Sequence, residues 1–137
     1  MRSARALTGV GFAAAATLAL AGCSGGQTDD SGAITVGFSQ VGAESEWRTA
    51  NTRSVKEALA EPEFRLKFSD AQQKQENQIK AIRSFIQQQV DVIAFSPVVE
   101  SGWGTVLREA KAAKIPVILS DRAVNEKDDS LWVSFMG

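Results

Sequence analysis

Two short segments of this 137-residue chain concentrate the side chains suited to gripping a polyhydroxyl ligand. Glu44-Ser45-Glu46-Trp47-Arg48 places carboxylates, a hydroxyl, an indole and a guanidinium side by side, and Asp121-Arg122 adds an acid next to a base. Carboxylates accept hydrogen from hydroxyls, a guanidinium donates a planar fork to hydroxyl and ring oxygens, and an indole face covers C–H surface. A sugar ring asks for this set. Asp70 and Gln72 form a second rank of candidates. Asp70 is as readily a turn former as a ligand contact. Gln72 is a rim contact, because residues 72–78 read as the solvated start of a helix. Each group also has an ordinary role open to it. Glu44, Ser45 and Glu46 suit the exposed amides and dipole at a helix start, Trp47 suits a core, and Asp121 with Arg122 suits a surface ion pair.

Covalent chemistry is poorly supplied. The chain has no histidine and one cysteine, so the commonest general base and metal ligand is missing and no intrachain disulfide can form. Gly37 and Gly42 do not make a Gly-x-Gly-x-x-Gly phosphate loop, and neither Gly-Lys-Ser/Thr nor a Gly-x-Ser-x-Gly elbow occurs. The expectation is a binding protein without enzymatic activity, cofactor or metal. With 15 basic residues against 16 acidic ones there is no clustered positive excess, so no nucleic-acid partner is expected.

The candidate residues sit between elements whose order is legible. Ile34-Thr35-Val36-Gly37-Phe38 is β-rich, and residues 46–60 follow with Trp47, Ala50, Ser54, Val55, Ala58 and Leu59 on one helical face until Pro62. Residues 64–69 form a second strand. Residues 74–89 place Ile79, Ile82, Phe85 and Ile86 on one stripe of an amphipathic helix. Val92-Ile93-Ala94-Phe95 is a third strand, and Trp103, Val106, Leu107, Ala110 and Ala113 mark a third helix. Trp103 there serves packing at a helix start. Pro116-Val117-Ile118-Leu119 is apolar on both faces, as a strand inside a parallel sheet must be. Residues 131–135 make a fifth strand. This alternation predicts an α/β fold, a doubly wound parallel sheet with helices on both faces. Ligand groups in such a sheet lie in loops at the carboxyl ends of the strands. The candidates are found there.

Ahead of the folded part, Arg2 and Arg5 precede an uncharged, Ala- and Leu-rich run over residues 10–21. The run is too short to span a bilayer, which takes about 20 residues, and has the layout of a secretory signal. Leu20-Ala21-Gly22-Cys23 resembles the lipobox of bacterial lipoproteins. That resemblance implies removal of residues 1–22, acylation of Cys23 and attachment to a membrane surface. Residues 23–32, rich in Gly, Ser and Asp, then read as the lipidated Cys and a flexible tether. Loss of Arg2 and Arg5 leaves 13 basic residues against 16 acidic ones.

Val36-Gly37-Phe38-Ser39-Gln40-Val41-Gly42, Glu44-Ser45 with Trp47-Arg48, the run Gln72-Gln73-Lys74-Gln75-Glu76-Asn77-Gln78 and Asp121-Arg122 together resemble the galactofuranose-binding branch of the periplasmic sugar-binding proteins. These are of the ribose- and galactose-binding type that serves ABC importers. The likeness runs from about Ile34 to Trp132. It departs at Glu46, where the pattern has a small residue such as glycine, so that this carboxylate either alters the pocket or points to solvent. The resemblance implies a solute-binding lipoprotein, monomeric and exported. It would capture a monosaccharide through residues 44–48 and Asp121-Arg122 and deliver it to ABC permease subunits. It also implies a periplasmic binding protein type I fold, in which two lobes close on the ligand by a hinge motion. Residues 33–137 correspond to an incomplete N-terminal lobe of that fold. Two alternatives are a truncated fragment without function and the effector-binding domain of a sugar-responsive regulator. The regulator would carry a helix-turn-helix where this chain has its signal-like segment. Ribose, galactopyranose, xylose or a polyol would suit the same side chains.

Overall fold

The computed structural model describes residues 32–126 and 131–136. The signal-like run, Cys23 and the tether up to residue 31 lie outside the described residues. Eight elements follow in the order β1 Ile34–Gln40, α1 Glu46–Ala58, β2 Phe64–Asp70, α2 Gln75–Gln87, β3 Val92–Phe95, α3 Gly104–Ala112, β4 Val117–Ser120 and β5 Val133–Met136. The strands form one sheet in the order β2-β1-β3-β4-β5, parallel at each junction. This matches the expected doubly wound architecture. The order reverses direction at β1, which pairs with β2 on one side and β3 on the other. The loops leaving the strands there open a crevice at the carboxyl edge.

The two faces of the sheet are covered unequally. Ile93, Phe95, Val117 and Leu119 join Ala81, Ile82 and Phe85 of α2 and Val106, Leu107 and Ala110 of α3 in one buried cluster. Each large apolar side chain buried in this way stabilises the fold by about 1.5–3 kcal/mol. Gly37 is part of this packing, since a Cβ there would lie 2.5 Å from Phe85 Cγ. Trp103 is fully buried against Phe95, with ring centroids 4.9 Å apart, and its indole N–H donates to Val99 O. It serves packing, as expected. A bidentate contact of Arg83 with Glu109 clips α2 to α3 and holds the Glu109 carboxyl below its ordinary range, first by the hydrogen bond. Both groups are exposed, so the clip adds little stability.

The helices on this face end alike. Gln89 and Lys114 take left-handed backbone, at φ 53° and 61°. Val90 N–H then reaches back to Phe85 O and Ile115 N–H to Ala110 O. This is the Schellman arrangement, which satisfies free carbonyls and turns an apolar residue inward. Val90 and Ile115, both buried, thereby start the approach to β3 and β4.

On the opposite face Val36, Phe38, Ala94 and Ile118 line an apolar groove with Asn51 and Val55 of α1 and with Leu59 just beyond it. The face expected to be buried on α1 is found only in part, at Val55 and at Leu59 just past the helix end. Trp47, Ala50, Ser54 and Ala58 are exposed, and the covered phase runs through Arg48, Asn51, Thr52 and Val55. The cause is polar. Arg48 turns inward to an acid, and Asn51 and Thr52 accept hydrogen bonds from the buried Gln40 side chain. A second difference concerns residues 72–78, read as solvated. Gln78 is fully buried, in helical phase with Ile82 and Phe85.

Candidate functional site

The first wall of the site is built where β1 runs out. Gln40 accepts a hydrogen bond from Val41 N–H with Oε1 and donates through Nε2 to Asn51 and Thr52, fixing the strand end to the second turn of α1. Ser45 caps that helix, its hydroxyl accepting from Arg48 N–H at 3.2 Å. The capping role proposed for Ser45 from sequence is therefore real, and Glu46 stands in the first turn, where an acid suits the helix dipole. Capping also sets the direction of the next residues. It aims the Arg48 side chain across the strand ends and leaves Trp47 outside.

Arg48 is the pivot of the site. It is 5% exposed, and its guanidinium lies between Glu44 Oε1, 3.3 Å from Nε, and Asp121 Oδ2, 2.7 Å from Nη2. A buried cation is expensive unless paired. Two acids from separate loops supply the pairing, and Nη1 has no hydrogen-bond partner among the described residues. The Arg48 guanidinium carbon is also 4.7 Å from the centroid of the Trp47 ring, a cation–π arrangement. Trp47 is 52% exposed, so the alternative that it belongs to the core is overturned. Its indole stands on the surface beside the charged cluster.

The second wall follows β4. Asp121 takes left-handed backbone at φ 68°, a conformation that aspartate tolerates better than most residues, and its N–H donates to Met136 O. Its main partner is Arg48. The neighbour Arg122 lies farther off, Nε at 3.9 Å from Asp121 Oδ2, so the pair is not a simple surface ion pair between sequence neighbours. Arg122 is exposed and donates from Nη1 to Val98 O at 3.3 Å. Below these residues Ser96 and Ser120 join the ends of β3 and β4 through their hydroxyls at 3.0 Å.

The structure therefore brings Glu44, Trp47, Arg48, Asp121 and Arg122 to one edge, with Ser45 holding the helix that presents them. Glu46 is exposed and lines a shallow depression with Ala43, Glu44, Ser45, Thr49, Ala50 and Arg53, which shares Glu44 with the cluster around Arg48. Asp70 is exposed and acts as a turn former, Oδ1 accepting from Gln72 N–H at 2.7 Å, with Gln72 and Gln73 both at positive φ. Gln72 is exposed on that turn. Gln40, Gln78 and Ser96, which position the loops, were not singled out from the sequence. The available signal was their position, a polar residue closing a buried strand or falling in phase with buried apolar ones. Among the described residues no cluster of acids or cysteines could hold a metal ion. No helix there is long and apolar enough to cross a membrane.

A family model described as periplasmic binding protein domain matches residues 36–135. The galactofuranose-binding protein of Escherichia coli is 55% identical over 101 residues, which cover 74% of this chain and 32% of that protein. A crystal structure from Mycobacterium smegmatis in complex with β-D-fucofuranose is similar with a TM-score of 0.74 and 63% identity, covering 77% of this chain and 34% of that one. The periplasmic binding protein component of an arabinose ABC transporter from Shewanella sp. ANA-3, bound to α- and β-L-arabinofuranose, gives a TM-score of 0.72 at 59% identity, covering 74% of this chain and 34% of that one. The chain thus spans about a third of the length of these relatives.

Proposed function

The chain belongs to the periplasmic binding protein family, and from that premise we propose that it binds a galactofuranose-like monosaccharide outside the membrane for an ABC sugar permease. The observation that carries this reading is Arg48, immobilised between Glu44 and Asp121 beside the half-exposed Trp47 ring. A donor held in place before the ligand arrives loses little entropy on binding. One oxygen of each acid is committed to Arg48, and the other is free to accept a sugar hydroxyl. Trp47 supplies the apolar face for ring C–H groups, and Arg122 adds a second guanidinium at the rim. Asp70 and Gln72 stand as outer contacts of the same edge. The galactofuranose-binding, fucofuranose-bound and arabinofuranose-bound relatives named above favour a furanose over a pyranose. Binding proceeds without covalent chemistry.

Membrane attachment through acylated Cys23 is part of this proposal and rests on Leu20-Ala21-Gly22-Cys23 behind a short apolar run. Cys23→Ala should remove lipid labelling and the membrane-bound fraction. Labelled lipid on that variant would refute the anchor. For the sugar, methyl β-D-galactofuranoside and methyl β-D-galactopyranoside are titrated into the 15N-labelled chain. The furanoside should shift the Trp47 indole and Arg48 Nε signals at lower concentration than the pyranoside. The furanose reading is lost if the pyranoside acts first, and sugar binding at this edge is lost if neither moves those signals.

A further inference from the structure

Gln78 is a fully buried polar side chain that no sugar contact explains. It projects from α2, is 0% exposed, and both ends of its amide are engaged on the loop that leaves β3: Nε2 donates to Ser96 O at 2.7 Å, and Oε1 accepts from Val98 N–H at 2.9 Å. The two contacts straddle Pro97, which has no N–H to offer. A buried primary amide with neither end satisfied would be costly, so this side chain and this loop conformation require one another.

The same loop is the surface to which the chain after β4 is fastened. Arg122 Nη1 donates to Val98 O at 3.3 Å, Asn125 N–H donates to Glu100 O at 2.6 Å, Asn125 Nδ2 donates to Glu100 Oε2 at 3.0 Å, and Trp103 N–H donates to Glu126 Oε1 at 3.0 Å. Val98 is therefore held from below by Gln78 through its N–H and holds Arg122 from above through its carbonyl. One residue, Val98, separates Gln78 from an exposed arginine of the candidate site.

We propose that Gln78 is a positioning residue for Arg122. By clamping residues 96–98 from α2, it sets the place of the Val98 carbonyl and so the direction in which the Arg122 guanidinium is presented at the sheet edge. The consequence for ligand affinity rests on the sugar-binding reading above, whereas the ordering of Arg122 does not.

The test separates the two. In the 15N-labelled full chain without ligand, the heteronuclear NOE of the Arg122 side-chain Nε–H, assigned by its loss in Arg122→Lys, reports how far that side chain is held. The same signal of Arg83, paired with Glu109 on the outer side of α2 and α3, is the internal control. Gln78→Met removes both amide contacts at similar volume, and Gln78→Glu keeps the acceptor for Val98 N–H while losing the donor. The expected result is a fall in the Arg122 NOE in each variant, larger in Gln78→Met, with Arg83 unchanged. Should Gln78→Met fail to fold, Gln78→Glu decides alone. An Arg122 NOE equal to that of the unsubstituted chain overturns the proposal, as does an equal fall at Arg83, which would mark general loosening. With methyl β-D-galactofuranoside as probe, Gln78→Met should weaken binding by about fivefold to tenfold when Arg122 is present and hardly at all in an Arg122→Ala background, as expected for residues of one network. Equal weakening in both backgrounds would also overturn the proposal. Absence of any binding by the unsubstituted chain would count against the sugar reading and leave the NOE result to stand.

Discussion

The Arg48–Asp121 contact ties α1 to the end of β4, and in the proposed sugar reading it also presents the donor to the ligand. Arg48 lies among groups that exclude water, and its 2.7 Å contact with Asp121 is the shorter of its two ion pairs. Removing Asp121 leaves a buried guanidinium with Glu44 as its remaining acid. We expect Asp121→Ala to lower the stability of the ligand-free chain by about 1–3 kcal/mol, the cost of leaving a buried polar group without its partner. Asp121→Asn, which keeps an oxygen acceptor, should cost less. Urea midpoints of the two variants check this, and an unchanged midpoint for Asp121→Ala would leave Asp121 a ligand role alone. Arg122 behaves differently, because its side chain is half exposed and makes one side-chain bond to a carbonyl. Arg122→Ala should leave the urea midpoint nearly unchanged while weakening sugar binding by about 0.5–1.5 kcal/mol, the net worth of a hydrogen bond that competes with water. A shift in midpoint without a loss of affinity would reverse these assignments.

At the scale of elements, the sheet face under α2 and α3 admits little change. Gly37 in β1 lies against the Phe85 ring so closely that an added methyl group must displace it. Gly37→Ala is expected to destabilise the chain by about 1–3 kcal/mol through overpacking. Gly37→Ala combined with Phe85→Leu should recover part of the loss, because the smaller side chain gives room; if the double variant is no better than the single one, the contact is not the cause. The sequence made this side of the fold plain. Ile82, Phe85, Val106, Leu107 and Ala110 repeat at helical spacing, and Val92-Ile93-Ala94-Phe95 and Pro116-Val117-Ile118-Leu119 read directly as parallel strands. Helix α1 was harder to read, since periodicity ranks residues by apolarity and the inward phase of α1 is occupied by Arg48, Asn51 and Thr52. Their burial depends on partners at Asp121 and Gln40, distant in sequence, which no local pattern displays. The candidate site residues stand out in the sequence for the complementary reason. Polar and aromatic groups gathered after β1 and β4 stand at the carboxyl ends of strands, where a sheet of this type presents its ligand groups.

For the molecule as a whole, one sheet edge carries the candidate binding groups, and that edge is open. Trp47 and Arg122 are both about half exposed, and nothing among the described residues covers them from the solvent side. Each hydrogen bond formed to a sugar there competes with water and is worth about 0.5–1.5 kcal/mol net. A few such bonds and one aromatic contact must also offset the lost freedom of the ligand, an estimated 4 kcal/mol or more. The balance predicts a dissociation constant near or above about 1 mM for a furanoside bound by the isolated 137-residue chain. Preorganisation of Arg48 raises affinity only within that limit, because it lowers the entropic cost without adding contacts. The relatives with bound furanoses have chains about three times as long as the matched segment, so further contacts to the ring have room to arise there. Titration of residues 23–137 with methyl β-D-galactofuranoside, followed at the Trp47 indole and by sedimentation to confirm a monomer, measures the constant. A micromolar value would show that the edge built by β1, α1 and β4 is sufficient alone, and that the energy of each exposed contact is several times what solvent competition allows.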